Sequence, residues 1–305
     1  MMNNIQEAYE QRDLKALDAL AIPKPRQINT TNEFKSVLML SCHNLKHLQK
    51  IESSDAECIM LNLEDGVSLK DKPYALVLCA IFLSLHQKCS KKLVVRVNAL
   101  DEGGYDEITY LNQFMPDAIR VPKIKNRDEV QNVLHLLNSE IDLHLSIETA
   151  SSWNNLATLR VNERVTAYYL GILDLFADMG LPQSFIQREN ETLKYILSHF
   201  LVTSLSSGVK PVSFNFQDFK NIEAFELWLA LEKSMGYSAK GCISPSQVLL
   251  VNKYFVDEEK EIQKAKVIVK LFEMHKEEGV TGFVDEEYGF IDEPIYKGAL
   301  SLLKC

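Results

Sequence analysis

The sequence predicts an α/β fold, a (β/α)8 TIM barrel with an N-terminal helical extension and a C-terminal tail, and three observations carry that prediction. Eight short apolar stretches alternate with helical ones, as parallel βαβ units do. No Gly-x-Gly-x-x-Gly follows the first strand, so an open dinucleotide-binding sheet lacks its fingerprint. Charged residues recur just after successive strands, and a barrel gathers those ends on one face. Residues 1–30 read as the extension, 31–280 as the barrel domain and 281–305 as the tail.

In order along the chain, Ile5 to Leu20 forms a polar helix, and Ile22-Pro23-Lys24-Pro25 connects it onward without joining the core. Ser36–Ser41 is the first buried strand, and a helix follows from His43 to Glu52. Cys58–Leu63 is the second strand and runs directly into Glu64-Asp65-Gly66. Lys72 to His86 is a long buried helix, and Leu93–Asn98 a third strand that carries Arg96 at an otherwise apolar place. A loop with Gly103-Gly104 leads to Ala118–Lys123, the fourth strand, before a helix opening at Asn126 and running through Leu137. Leu143–Glu148 alternates as a fifth strand ending on an acid, with Ser151 or Ser152 placed to cap the helix after it. Ala167–Gly171 is the sixth strand, followed by Asp174, and Lys210–Asn215 the seventh, after a helix over about 190–207. Ile222–Met235 is helical, Ala239–Ser244 is the eighth strand, and a long helix spans Asp257 to Lys276.

Composition narrows the classes of function. With 46% hydrophobic and 25% charged residues the chain reads as an ordinary folded protein. A net charge of −9 argues against nucleic acid or an anionic membrane as partner, while leaving room for a local basic pocket. The N-terminus shows neither the basic nor the apolar region of a secretion signal, and the longest weakly polar run, Tyr74 to Leu85, is too short to span a bilayer. The expected location is the cytoplasm. None of the six cysteines forms a Cys-x-x-Cys pair, which points to buried thiols, with Cys305 exposed at the very end.

The strand ends suggest the chemistry. Glu64 and Asp65 follow the second strand, Arg96 and Asn98 close the third, Lys123 the fourth and Glu148 the fifth, and Asp174 lies past the sixth. Several carboxylates with an arginine and a lysine suit a hard cation such as Mg²⁺, which takes one or two carboxylates and keeps waters for substrate oxygens to displace. Arg96 offers a planar fork for a substrate carboxylate. The same residues also have plainer readings. An acid at a helix start caps it, a buried arginine pairs with a carboxylate, and Lys123 reaches solvent.

The sequence resembles the citrate lyase beta subunit family, grouped with the malyl-CoA lyases and the HpcH/HpaI aldolases. The matching segments, in collinear order over about residues 36–300, are Leu61–Val67 with Asp71-Lys72, Val95–Asn98, Val121–Lys123, Ile147–Ala150, Gly171–Leu175, Gly241–Ile243 with Pro245 and Gln247, and Ile291–Pro294. The resemblance implies a TIM barrel in which Glu148 and Asp174 hold Mg²⁺ (or Mn²⁺) and Arg96 grips the substrate carboxylate. Asp292 matches an aspartate of the family's tail that in some members acts as acid or base from a neighbouring subunit, and in the lyase reading Glu64, with Asp65, orients the catalytic groups while Lys123 binds substrate. It further implies reversible cleavage of a hydroxy acid or hydroxyacyl thioester into a 2-oxo acid and an acyl or acetyl fragment. A coenzyme A thioester is one form of that substrate. The assembly implied is a homo-oligomer, a trimer or hexamer, whose tail covers a neighbour's site.

The chain departs from the family pattern in several places. Ser41–Lys46 replaces the usual Pro-Gly-Asn-Arg turn, Gly171-Ile172-Leu173-Asp174 loses an acidic neighbour of the ligand, Ser244 stands for a histidine, and Val212–Phe216 lacks the usual Gly-aspartate pattern. These bear on coenzyme A binding and on which acid is cleaved. They also motivate an alternative, a catalytically degenerate barrel that serves as a binding or assembly subunit. A third reading, a phosphotransfer or hydrolase barrel using the same cation, differs in releasing phosphate.

Overall fold

The computed structural model describes residues 2–256 and 259–303. The chain divides into two compact units, Met1–Phe255 and Val256–Cys305. The first contains α1 (Met2–Glu10), α2 (Leu14–Asp18), β1 (Ser36–Ser41), α3 (Leu45–Leu48), β2 (Cys58–Asn62), α4 (Lys72–Leu85), β3 (Lys92–Arg96) and α5 (Gly104–Leu111). It continues with β4 (Ala118–Val121), α6 (Arg127–Leu136), β5 (Asp142–Ile147), α7 (Ala150–Asn155), β6 (Val165–Leu170), α8 (Ile172–Asp178) and α9 (Glu191–Ser206). It ends with β7 (Lys210–Val212), α10 (Ile222–Met235), β8 (Lys240–Cys242) and α11 (Pro245–Tyr254).

The eight strands form one parallel sheet in the order β7-β6-β5-β4-β3-β2-β1-β8. A parallel bridge between Ser213 and Lys240 closes it, with Ser213 N–H donating to Ala239 O at 3.0 Å and Gly241 N–H to Ser213 O at 3.1 Å. The expected (β/α)8 barrel is therefore present. Alternation along each strand produces two apolar layers. Leu38, Ile59, Leu93, Ile119, Leu143 and Leu145 point outward into the core shared with the helices, while Val37, Met60, Val94, Ala118 and Ala167 fill the barrel.

Several elements differ from the sequence expectation. The first helix is two helices, because Arg12 takes a left-handed φ of 55° and the Asp13 side chain accepts from Ala16 N–H to start α2. Nor is this segment peripheral. Ile5 and Leu17 are fully buried in the main core. Their apolar contribution is sparse among polar neighbours, so periodicity concealed it. The Gly103-Gly104 segment opens a helix, α5, rather than a plain loop. Gly103 has φ +100°, and a Cβ on Gly104 would meet Asn98 O at 2.4 Å. Thr149, not Ser151 or Ser152, caps α7, and Ser152 completes its capping box.

The second unit holds α12 (Glu259–Glu277), the antiparallel hairpin β9 (Gly282–Asp285) and β10 (Gly289–Asp292), and α13 (Glu293–Leu302). Phe272 stacks on Tyr296 at 4.4 Å and His275 on Phe283 at 3.7 Å. The long helix assigned to the barrel domain thus falls in this unit, and the hairpin was not expected. Asp257, read as the start of that helix, and Cys305 lie outside the described residues.

Candidate active site

The carboxyl ends of the strands surround a cavity of about 410 Å³ lined by Met39, Asp65, Arg96, Arg120, Glu148 and Asp174, with Gly171, Phe214, Asn215 and Ile243 among the remaining walls. Each charged group arrives there for a local reason. Arg96 is the last residue of β3 and points inward by the same alternation that buries Val94. Glu64 and Asp65 sit just past β2 and both ion-pair with Arg96, Asp65 at 2.9 Å. Asn62 holds that turn, its amide donating to Asp65 O at 2.7 Å and its oxygen accepting from Glu64 N–H at 3.3 Å.

Glu148 follows β5 and is buried. Its Oε1 accepts the Lys123 backbone N–H at 2.7 Å, and its Oε2 accepts no hydrogen bond among the described residues. Burial raises its pKa, which Arg120 and Arg96 oppose and Asp174 reinforces. A Cβ at Gly171 would lie 2.5 Å from Glu148 Cβ and 2.6 Å from Oε2, so only glycine lets the β6–α8 turn pass this carboxylate. Asp174, exposed in the first turn of α8, stands close enough to act electrostatically on Glu148. Burial pushes Glu64 up to about 7, against the pull of Arg96 and with a further push from Glu148.

Two carboxylates with a free oxygen, held beside a glycine that clears their space, fit one divalent cation. Among the described residues no group of three His, Cys, Asp or Glu gathers at metal-binding spacing. Glu148 and Asp174 are the carboxylates of the cavity that would hold such a cation, since Asp65 is taken up by Arg96, and Mg²⁺ is the ion that one or two carboxylates suit.

Not every expected site residue lines the cavity. Lys123 adopts φ 52°, and its ammonium lies 3.8 Å from Glu102 at the surface. It reaches Glu148 through its backbone N–H alone. Asn98 turns away, its amide bonded to Glu107, with Lys72 on its oxygen. Asp292 belongs to the second unit, where its side chain accepts from Ile295 N–H at 3.1 Å and caps α13. Ser244 caps α11 by accepting from Gln247 N–H at 3.3 Å.

Sequence reasoning passed over Arg120. It sits on β4, directly beside Arg96 in the strand register, buried in the barrel wall with 5% of its surface exposed. Its Nε donates to Ser146 Oγ at 2.8 Å and its guanidinium lies 4.3 Å over the Tyr169 ring. Burial and the Arg96 charge lower its pKa to about 10, which leaves it protonated at neutral pH. A charged residue at the middle of an apolar strand was the available signal, the same one that singled out Arg96.

Comparison with known proteins agrees with this fold. The HpcH/HpaI aldolase/citrate lyase family model matches residues 35–245. The chain is 24% identical to the mitochondrial citramalyl-CoA lyase of Mus musculus, over 99% of this chain and 96% of that protein. It is 27% identical to the citrate lyase subunit beta of Leuconostoc mesenteroides subsp. cremoris, over 82% and 85% respectively. Among solved structures, a citrate lyase from Burkholderia xenovorans LB400 superposes with a TM-score of 0.75 at 14% identity, covering 90% of this chain and 92% of that one. CitE from Mycobacterium tuberculosis, in complex with magnesium, acetoacetate and coenzyme A, has a TM-score of 0.68 at 19% identity, covering 90% and 98%. The matched residues contain every strand of the barrel and every charged residue of the cavity, and the chain belongs to the HpcH/HpaI aldolase/citrate lyase family.

Proposed function

We propose that the protein is a Mg²⁺-dependent carbon–carbon lyase that reversibly cleaves a hydroxy acid or hydroxyacyl thioester to a 2-oxo acid and an acyl fragment. The observation that carries this reading is the pairing of Glu148 and Asp174 across a turn that only Gly171 permits, beside two buried guanidinia. When bound, the cation supplies Lewis-acid stabilisation of charge developing on substrate oxygens.

The chain's own residues do the rest. Arg96, held by Glu64 and Asp65, orients the substrate carboxylate. Lys123 N–H fixes the Glu148 carboxylate, and the apolar walls Met39, Phe214 and Ile243 limit water. In the cleavage direction the substrate hydroxyl gives up its proton as its carbon–oxygen bond becomes a carbonyl. The pair of the adjacent carbon–carbon bond passes to the acyl fragment, whose carbon then takes a proton. Asp292 of a neighbouring copy moves these protons, which makes the active form a homo-oligomer, a trimer or hexamer. The five described cysteines are all free, in keeping with a reducing compartment such as the cytoplasm. Among the described residues no helix is long and apolar enough to cross a membrane.

The test is product analysis of full-length protein with Mg²⁺, a panel of 2-oxo acids (oxaloacetate, pyruvate, glyoxylate) and acetyl or propionyl thioesters. The expected result is a condensed hydroxy acid or hydroxyacyl thioester that disappears in Asp174→Asn. No product and no binding of any acid would leave the degenerate-barrel reading standing instead.

A further inference from the structure

The two guanidinia of the cavity are not equivalent. Arg96 is committed, its Nη2 paired with both Glu64 and Asp65. Arg120 has no carboxylate within ion-pair distance among the described residues, and only its Nε is hydrogen-bonded. Its position is nevertheless strictly held. Ser146 Oγ fixes the Nε edge and the Tyr169 face supports the plane. Tyr169 is held in turn, its hydroxyl 3.2 Å from His144 Nδ1 at the centre of the barrel. The two terminal nitrogens of Arg120 are thus presented to the cavity by a rigid, buried frame, with no hydrogen-bond acceptor on them among the described residues. Glu148 and Glu64 act on this cation only at longer range than an ion pair, so its burial stays costly, and an anion bound to its open nitrogens relieves that cost.

We propose that Arg120 is the specificity-determining residue that receives a second carboxylate of the substrate, so that the 2-oxo acid handled by this site is a dicarboxylate. This rests on the lyase reading above. Arg96 orients the carboxylate next to the oxo group, and the planar fork of Arg120 takes the distal one. A monocarboxylic acid leaves Arg120 unmatched, and the site discriminates because the unmatched charge stays buried. The plainer role for Arg120, neutralising Glu148, would affect all acids alike.

The discriminating experiment is isothermal titration of the full-length protein, in saturating Mg²⁺, with oxaloacetate and with pyruvate. Wild type is expected to bind the dicarboxylate at least about tenfold more tightly, the value of one charge-assisted contact. In Arg120→Met that preference should collapse toward parity, and in Arg120→Lys, a point charge in place of a fork, it should be intermediate. Equal affinity for the two acids in wild type would overturn the proposal while leaving the lyase reading intact. So would a preference that persists in Arg120→Met, or an equal loss for both acids in Arg120→Lys. If wild type binds neither acid, the lyase reading fails and this proposal with it.

Discussion

The foot and the mouth of the barrel both bury charge inside the same sheet, and they treat it in opposite ways. At the foot, Lys92 is fully buried, and its Nζ reaches Thr31 O at 3.0 Å, Asn32 Oδ1 at 3.1 Å, and Asn29 O and Asp142 Oδ2 at 3.3 Å. Asp117, near the same end, accepts from Leu93 N–H at 2.6 Å, Asn29 N–H at 2.8 Å and Arg26 at 3.3 Å. At the mouth, Arg120 makes one hydrogen bond, Arg96 Nε is buried with none, and Glu148 Oε2 accepts none. Charges with every position partnered tie the connector after α2 to the sheet, whereas charges that keep open donor or acceptor positions surround a cavity. The difference separates charge that holds the fold from charge kept for a ligand.

Substitutions at the two ends should therefore fail differently. The largest expected effect is at the foot. Asp117→Ala strands the Arg26 guanidinium and two backbone donors, and should lower unfolding stability by about 3–5 kcal/mol in urea titrations. At the mouth, Glu148→Gln should weaken Mg²⁺ binding by roughly a hundredfold or more in calorimetric titration, about 2.7 kcal/mol. The same variant should leave the urea midpoint of metal-free protein unchanged or raised, because it removes a carboxylate whose ionisation burial opposes. A large destabilisation by Glu148→Gln would break the comparison.

Glu64 gives a smaller, pH-dependent effect. Its folded pKa, about 7, lies above its ordinary 4.5, so the folded state holds the proton more tightly than the unfolded one. The stability it contributes is fully present below 4.5 and is lost as pH rises through 7. Metal-free wild type should thus lose on the order of 2 kcal/mol between those limits, and Glu64→Gln should flatten that slope. Smallest is Lys123→Ala, whose ammonium makes only a surface contact at 3.8 Å. It should shift stability by less than about 0.5 kcal/mol, with Mg²⁺ affinity close to wild type, since Glu148 uses its backbone N–H.

The barrel itself was legible because each strand is a continuous apolar run, and all eight appear within a few residues of where the sequence places them. Arg96, Glu148 and Asp174 were legible as charges at strand ends, and the structure brings them to one cavity. Arg120 carried the same signal as Arg96, a charge inside an apolar strand, but it lies before the strand end at Lys123, where the polar residues of the site were expected. Lys123 misled for a different reason. Its left-handed backbone swings the side chain out of the cavity, and nothing in Val121-Pro122-Lys123 announces a positive φ on a lysine. The fully buried Ile5 and Leu17 belong to a third kind, long-range packing that a polar local pattern does not report.

The claim that the unsatisfied charges at the mouth exist for a cation and its acid is tested most directly by crystals of the full-length protein soaked with Mn²⁺ and oxaloacetate. An anomalous difference peak touching Glu148 and Asp174, with the acid's carboxylates on Arg96 and Arg120, is the predicted result. A saturated crystal with no peak there, or with manganese bound only elsewhere, would contradict it.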